Sequence, residues 1–90
     1  MAQIIRAKGM WEEVQPKNGT DFQLDELQTI VGGYIEIKPV NEREIICMDE
    51  EGKVKGKDIN ILATAMFQAY YNTKDFVVGD VLLCYKEEIK

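Results

Sequence analysis

Three lysines at alternating positions, Lys53, Lys55 and Lys57, are the residues best suited by type and spacing to bind an anion. In an extended segment, alternating side chains point to the same side. This segment runs into a predicted helix start, where the backbone N–H groups favour negative charge. Asn60, close to that start, offers an amide for the edge of a base or a ribose. The alternatives are that the lysines form a solvated edge strand and that Asn60 satisfies local backbone groups.

Three further side chains suit a ligand that carries phosphate and a base. Arg43, in the loop NERE, has the planar guanidinium that binds phosphate with two parallel hydrogen bonds, and we expect it to act across a dimer interface. Tyr34 and Trp11 have polar neighbours and are candidates for stacking on a base, a contact of about 1–3 kcal/mol. The alternatives are a solvated loop arginine and aromatic side chains that serve packing alone.

Gly32 and Gly33 lie between a predicted helix and a predicted strand. Phosphate-binding glycine loops have the opposite order, with the glycines before the helix, so that its N-terminal amides face the anion. Here an anion would meet the negative end of the helix dipole. The order therefore favours Gly32 as a left-handed residue that ends the helix, with Gly33 allowing the turn into the strand.

The composition limits the chemistry that the chain can perform. It contains no histidine and no serine, which excludes the nucleophile arrangements that need them. Two cysteines are too few for a structural zinc site. Because Cys47 and Cys84 have apolar neighbours, we expect buried free thiols. We therefore expect a protein that is not an enzyme and that uses no metal or other cofactor.

Hydrophobic periodicity and turn residues predict eight elements. Asp58 is the predicted N-cap of the second helix, and Gly52 is the predicted residue with positive φ in the turn before it. The predicted elements are strands at 2–8 and 10–15, a helix at 24–31, strands at 34–40 and 44–49, a helix from Asp58 to Tyr71, and two strand-like runs on either side of Gly79 and Asp80.

This order, β-β-α-β-β-α-β-β, predicts a single α+β domain over residues 1–90. We expect a small antiparallel sheet with both helices packed on one face. An exposed sheet edge favours a homodimer or a larger closed oligomer. The net charge of −5 argues against non-specific binding of nucleic acid. Without an apolar run of roughly 18 residues or a signal peptide, we expect a cytoplasmic protein that does not enter a membrane.

The succession LDELQTIVGGYIEI, DEEGKVKGKDIN-x-x-AT and VVGDVLL resembles a family of small proteins of unknown function borne by phages and mobile elements. The resemblance extends from about Leu24 to Leu83, two-thirds of the chain. Its most specific part is LQ-x-x-VGGYIE, followed by Asn60, Ala63 and Thr64 and by the VGD of residues 78–80. The resemblance implies a phage or prophage protein without catalytic activity.

Some small phage proteins of similar size and α+β character act as sponges, which bind cyclic nucleotides made by bacterial defence systems without cleaving them. By this analogy the chain is expected to sequester a nucleotide-derived immune signal, of the cyclic nucleotide or cyclic ADP-ribose type, in the host cytoplasm. The alternative is an acidic interaction module that inhibits a host protein by docking on it through charge complementarity.

Overall fold

The computed structural model describes residues 2–89 of the chain. It contains five strands, two helices and a 3₁₀ turn. Their bounds are β1 Ala2–Ile5, β2 Trp11–Val14, α1 Leu24–Val31, β3 Ile35–Pro39, β4 Glu44–Asp49, α2 Ile61–Tyr71 and β5 Val81–Tyr85, with the 3₁₀ turn at Lys86–Glu88.

The five strands form one sheet in the order β2-β1-β5-β4-β3, and each strand is antiparallel to its neighbours. The last strand, β5, therefore lies at the centre, between β1 and β4. In the β1–β5 pair Ile5 lies opposite Val81. This register brings the turn after β1 next to Asp80, which directly precedes β5.

The central strands are buried on both faces of the sheet. Ile45 and Cys47 of β4 belong to an apolar cluster that contains Leu27 and Val31 of α1. Ile46, between them, belongs to a second cluster that contains Ala63 of α2. Because successive side chains of a strand point to opposite faces, α1 and α2 cover opposite faces of the sheet.

The predicted α+β class, the antiparallel sheet and the two helices are confirmed. The expectation that both helices pack on one face is wrong. A strand buried on both faces has a continuous apolar run instead of an alternating one. The runs IIC in β4 and VLLC in β5 carry this signal, and each is buried throughout.

Helix α1 has the predicted bounds and the predicted end. At its start, Oε2 of Glu26 accepts a hydrogen bond of 2.8 Å from the backbone N–H of Gln23, and Asp25 and Glu26 favour the positive end of the helix dipole. Gly32 ends the helix with φ 82°, in the left-handed region, and its N–H donates to the carbonyl of Gln28. The interpretation of Gly32 as a helix stop is confirmed.

Helix α2 begins later than predicted, because Asn60 and not Asp58 is its N-cap. The side-chain oxygen of Asn60 accepts a hydrogen bond of 3.1 Å from the N–H of Ala63. Asp58 lies two residues too early, since Ile59 between them pairs with Val78 in an isolated antiparallel bridge. Of residues 76–78, only Val78 pairs, in this single bridge, so the segment is not a strand.

The segment that carries the three lysines is folded into consecutive turns over residues 50–56. The expectation of an extended segment there is wrong. Gly56, with φ 73°, has the left-handed backbone that was expected at Gly52. Gly52 is needed for space, since a Cβ atom there would lie 2.8 Å from Cγ2 of Val78.

Candidate anion-binding site

Four segments that are distant in sequence surround an open cleft of about 820 Å³. The turn after β1 forms one wall, and the C-terminal end of α1 forms another. The remaining walls are residues 55–58 and residues 79–80, which precede β5. We call this site the basic cleft because it contains four cationic side chains, those of Arg6, Lys8, Lys55 and Lys57.

The side chains that line the basic cleft are less acidic than the chain as a whole. The four cationic side chains of the cleft face three carboxylates, those of Glu12, Asp58 and Asp80, whereas the chain carries a net charge of −5. Apolar side chains complete the lining: Met10 is 64% exposed, and Ile30 is half-buried. The cleft therefore combines cationic side chains with apolar surface.

Two of the cationic groups bind a buried carboxylate behind the cleft. Oδ2 of Asp49 lies 2.7 Å from Nζ of Lys57 and 2.9 Å from Nζ of Lys55. Its other oxygen, Oδ1, accepts a hydrogen bond of 2.9 Å from the N–H of Glu51. The Asp49 side chain is only 1% exposed, and this pairing supplies the partners that a buried carboxylate requires.

The same two lysines also cap the C-terminal end of α1. Nζ of Lys57 donates to the carbonyl of Val31 at 2.7 Å, and Nζ of Lys55 donates to that of Gly32 at 3.3 Å. Helix α1 has no basic residue of its own in its last turn. The lysines therefore supply, from a distant segment, the positive charge that a helix C-terminus favours.

These contacts determine the protonation of Asp49. Burial by itself raises the pKa of the carboxyl group, but the hydrogen bonds from Lys57, Lys55 and the N–H of Glu51 lower it to about 2. The same contact with Asp49 raises the pKa of Lys55. Both partners are therefore charged at neutral pH.

Arg6 and Asp80 form another wall of the basic cleft. NH1 of Arg6 donates to Oδ2 of Asp80 at 2.8 Å, and its Nε donates to Glu12. The N–H of Ala7 donates to Oδ1 of Asp80 at 2.9 Å. Burial alone would raise the pKa of Asp80, but these hydrogen bonds from Ala7 and Arg6 lower it. This wall is therefore fixed by ionic contacts.

Lys8 and Lys55 are the cations of the basic cleft with the most freedom to meet a ligand. Lys8 is exposed at the tip of the turn after β1, and no ion pair joins it to another residue between positions 2 and 89. The Lys55 side chain remains 40% exposed although it contacts Asp49, whereas Lys57 is 25% exposed. An incoming anion would meet Lys8 and Lys55 first.

The structure brings Lys55 and Lys57 together but places Lys53 elsewhere. Lys53 pairs with Asp75, and its Nζ lies 4.5 Å from the centre of the Phe76 ring. These contacts face a separate depression of about 200 Å³ between β4 and the segment after α2. The three lysines do not form one row because the turns of residues 50–56 rotate them apart.

Asn60 does not reach the basic cleft, and the expectation that it contacts a ligand is corrected. The residue is 1% exposed. Its Nδ2 donates to the carbonyls of Ile5 and Gly79, both at 2.9 Å, and its oxygen caps α2. With both N–H groups and the oxygen in use, Asn60 joins the start of α2 to β1 and to the residues before β5.

The other three predicted residues have different surroundings. Tyr34 is 66% exposed and lines a shallow depression of about 450 Å³ that shares Lys55 and Thr29 with the basic cleft. Trp11 is half exposed on β2, but only its neighbours Met10 and Glu12 line the cleft. Arg43 immediately precedes β4, whereas Asp49, behind the cleft, is the last residue of that strand. The length of β4, about 20 Å, therefore separates Arg43 from the cleft.

Sequence reasoning missed Arg6, Lys8 and Met10 as lining residues of one site. The turn RAKGM carries two cations and one large apolar side chain, which is a local signal. The position of this turn beside residues 55–58 follows from the pairing of β1 with β5, which joins the two ends of the chain. No local pattern contains this information.

Comparison with known proteins identifies a family, and it does not assign an activity. A model for a domain of unknown function, DUF3846, matches residues 3–89. Neither the curated proteins nor the solved structures give a significant match. No helix within residues 2–89 is long and apolar enough to cross a membrane. Since the match includes nearly the whole chain, the protein belongs to the DUF3846 family.

Proposed function

We propose that this protein binds a nucleotide-derived anion in the basic cleft and sequesters it without cleaving it. In the biological setting implied by the phage resemblance, the ligand is an immune signal of the cyclic nucleotide or cyclic ADP-ribose type. Binding would withhold that signal from its receptor in the host cell. The observation that carries the proposal is the basic cleft itself, a partly apolar depression on an acidic protein that presents the exposed ammonium groups of Lys8 and Lys55.

The size and charge of the basic cleft support a ligand of this class. Its volume of about 820 Å³ lies within the range of roughly 300–1,000 Å³ that is usual for small-molecule sites. Lys8 and Lys55 offer ammonium groups for phosphate. Lys8 forms no ion pair within residues 2–89, so its ammonium group is available to an anion.

The apolar lining supports a ligand that also carries a flat, weakly polar group. Met10 is exposed and unbranched, so its thioether can adapt to the face of a base. Ile30 supplies a second apolar contact from α1. Tyr34, beyond Lys55, is exposed and available for stacking. A nucleotide combines the two kinds of group, phosphate and base, that this lining suits.

Binding without cleavage is proposed from the state of the carboxylates. Asp80 accepts hydrogen bonds from Arg6 and Ala7, and Glu12 pairs with Arg6. For Asp80 these contacts lower the pKa of the carboxyl group and hold it in place, so Asp80 is a poor proton donor at neutral pH. The chain also has no histidine or serine to act as proton shuttle or nucleophile.

Titration calorimetry with cyclic dinucleotides, linear dinucleotides and cyclic ADP-ribose tests the proposal. We expect binding of at least one cyclic ligand and a five- to tenfold weaker affinity for Lys8→Ala, about 1 kcal/mol for one exposed charged contact. Lys74→Ala is the matched control because it removes the same charge from an exposed residue outside the cleft. Equal weakening in both variants would show only a general effect of charge.

Recovery of the ligand after incubation distinguishes a sponge from a hydrolase. We expect mass spectrometry to find the bound molecule unchanged after denaturation of the complex. The competing proposal, an acidic module that docks on a host protein, predicts no heat with any nucleotide. It predicts instead one stoichiometric partner from host lysate, lost as the salt concentration rises.

A further inference from the structure

The basic cleft adjoins the shallower depression of about 450 Å³ beside Tyr34, which we call the Tyr34 depression. This depression lies between helix α1 and the turn at Glu51. Thr29 and Lys55 line both the basic cleft and the Tyr34 depression. A ligand that lies across Lys55 therefore reaches both.

The ammonium group of Lys55 is held in a fixed position at this junction. One of its three N–H groups donates to Oδ2 of Asp49 at 2.9 Å, and another donates to the carbonyl of Gly32 at 3.3 Å. No other residue between positions 2 and 89 accepts a hydrogen bond from it, and the side chain is 40% exposed. The third N–H is therefore a positioned donor for a phosphate oxygen.

Tyr34 presents its ring close to that ammonium group. Nζ of Lys55 packs against the backbone of Gly33, where a Cβ atom would lie 2.5 Å away from it. Tyr34 is the next residue and is 66% exposed. Its carbonyl accepts a hydrogen bond of 2.8 Å from the N–H of Glu50, which fixes the backbone at this point. A nucleotide with its phosphate at Lys55 can therefore stack its base on this ring.

The carboxylates of the Tyr34 depression favour a base over a second phosphate. Asp25 and Glu51 line this depression and are exposed. Two carboxylates repel a further anion, but their oxygens accept hydrogen bonds from the amino group of a base. Phosphate groups are therefore directed to Lys55 and, within the basic cleft, to Lys8.

We propose that the ligand of this site is a dinucleotide whose two bases occupy the two depressions. A phosphodiester group would contact Lys55 at the junction. One base would lie in the basic cleft against Met10 and Ile30, and the other would stack on Tyr34. In a cyclic dinucleotide the second phosphodiester group is available to Lys8.

This inference rests on the proposed function and narrows its ligand class. A cyclic mononucleotide carries a single base, and so does cyclic ADP-ribose. Either ligand would fill one depression and leave the other empty. A ligand with two bases gains the contacts of both depressions while the ordering of Lys55 is already provided by Asp49 and Gly32.

Titration calorimetry compares each cyclic dinucleotide with the cyclic mononucleotide of the same base. The pairs are cyclic di-GMP with cyclic GMP and cyclic di-AMP with cyclic AMP. For at least one pair we expect the dinucleotide to bind about tenfold tighter or more, because stacking of a second base contributes on this scale. Cyclic ADP-ribose should bind no better than the mononucleotides.

Variants of Tyr34 test where the second base lies. Tyr34→Ala should lower the preference for the dinucleotide to below about threefold, whereas Tyr34→Phe should keep it because the ring remains. Tyr70→Ala is the matched control, since it removes a ring that is 47% exposed on α2 and lines neither depression. Circular dichroism should show unchanged folding of Tyr34→Ala, because the side chain is largely exposed.

Backbone amide signals in two-dimensional NMR spectra give a readout that needs no variant. The dinucleotide should shift the signals of Tyr34 and Glu51 together with those of Lys8 and Met10. A mononucleotide should shift only one of these two sets. Shifts confined to Lys8 and Met10 with the dinucleotide would place both bases in one depression and overturn the inference.

The calorimetric outcomes separate this inference from the function on which it rests. Mononucleotides that bind as tightly as their dinucleotides for both bases would overturn the inference alone. A preference that survives in Tyr34→Ala, or falls equally in Tyr70→Ala, would do the same. No binding of any nucleotide would overturn the proposed function and this inference with it.

Discussion

Asp49 joins three segments that are distant in sequence. It ends β4, binds Lys55 and Lys57, and through these lysines reaches the carbonyls at the end of α1. Its side chain is almost fully buried, so the loss of its charge would leave two ammonium groups without their partner. The stability of the fold should therefore depend on the ionisation of this one carboxylate.

The pKa of Asp49 predicts a loss of stability in acid. Its folded-state pKa of about 2 lies below the ordinary value of 3.8, so the unfolded chain binds the proton more tightly. The contribution is complete above about pH 5 and is lost as the pH falls toward 2; a shift of this size corresponds to roughly 2–3 kcal/mol. Urea unfolding at pH 7, 5, 4 and 3 measures this decline.

The variant Asp49→Asn should be less stable than the wild type at pH 7 and should lose less stability between pH 5 and pH 3. Glu13→Gln, which removes an exposed carboxylate on β2, should follow the wild-type curve. Asp75 and Asp80 also have lowered pKa values, so part of the decline should remain. An unchanged slope in Asp49→Asn would contradict the role given to this residue.

At the residue scale, sequence reasoning identified the chemistry of side chains better than their partners. Lys55 and Lys57 were correctly grouped as neighbours, but the local pattern contains no sign that Asp49 and α1 hold them. Asp58 was the predicted N-cap of α2, whereas Asn60 was expected to contact a ligand or to satisfy local backbone groups. The carbonyls of Ile5 and Gly79 decide in favour of Asn60, and both belong to distant parts of the chain.

At the scale of elements, the end of α1 depends on residues outside the helix. Gly32 turns the chain, and Gly33 then passes close to the lysines and Asp49. A Cβ atom on Gly33 would lie 2.5 Å from Nζ of Lys55 and 2.9 Å from Oδ1 of Asp49. Gly33 is therefore needed for the close approach of this turn to the buried ion pair.

Gly33→Ala should lower the free energy of unfolding by about 1–2 kcal/mol, because the added methyl group displaces Lys55 from Asp49. In a Lys55→Ala background the same substitution should cost less, and a double-mutant cycle from urea unfolding measures the difference. Gly19→Ala is the comparison, since Gly19 has positive φ but open space around it; its cost should not change with Lys55. Additive effects of Gly33→Ala and Lys55→Ala would exclude the proposed contact.

The elements differ in how far local sequence determines them. Helix α1 has its periodicity, its acidic first turn and its terminal glycine within one short segment, and its bounds were predicted correctly. The lysine segment is polar and was expected to be extended. Its turns follow from hydrogen bonds such as Lys57 N–H to the carbonyl of Gly52, and alternating lysines give no sign of them.

At the scale of the whole molecule, the two cysteines report on the integrity of the core. Cys47 and Cys84 lie on the α1 side of the sheet in adjacent strands, and both are fully buried. Burial raises the pKa of each thiol to about 12. At pH 8 neither thiol is accessible or appreciably ionised in the folded protein.

Alkylation at pH 8 should therefore modify Cys47 and Cys84 slowly and at similar rates, because both require opening of the same core. In 8 M urea both should react rapidly. Val54→Cys supplies an exposed thiol in the folded protein, and it should react at the rate of a free cysteine. If one native cysteine reacts more than tenfold faster than the other, its strand opens separately from the rest of the sheet.

Burial on both faces of the sheet affects how the register of β5 against β1 and β4 is determined. In a sheet with one wet face, a slip of one residue exposes apolar side chains and is strongly disfavoured. In the run VLLC, such a slip would replace one apolar side chain by another on either face. Polarity alone therefore does not select the alignment of β5. The register of β5 is instead selected by the polar contacts before the strand, where Asp80 binds Arg6 and Ala7. The differing volumes of valine, leucine and cysteine also contribute.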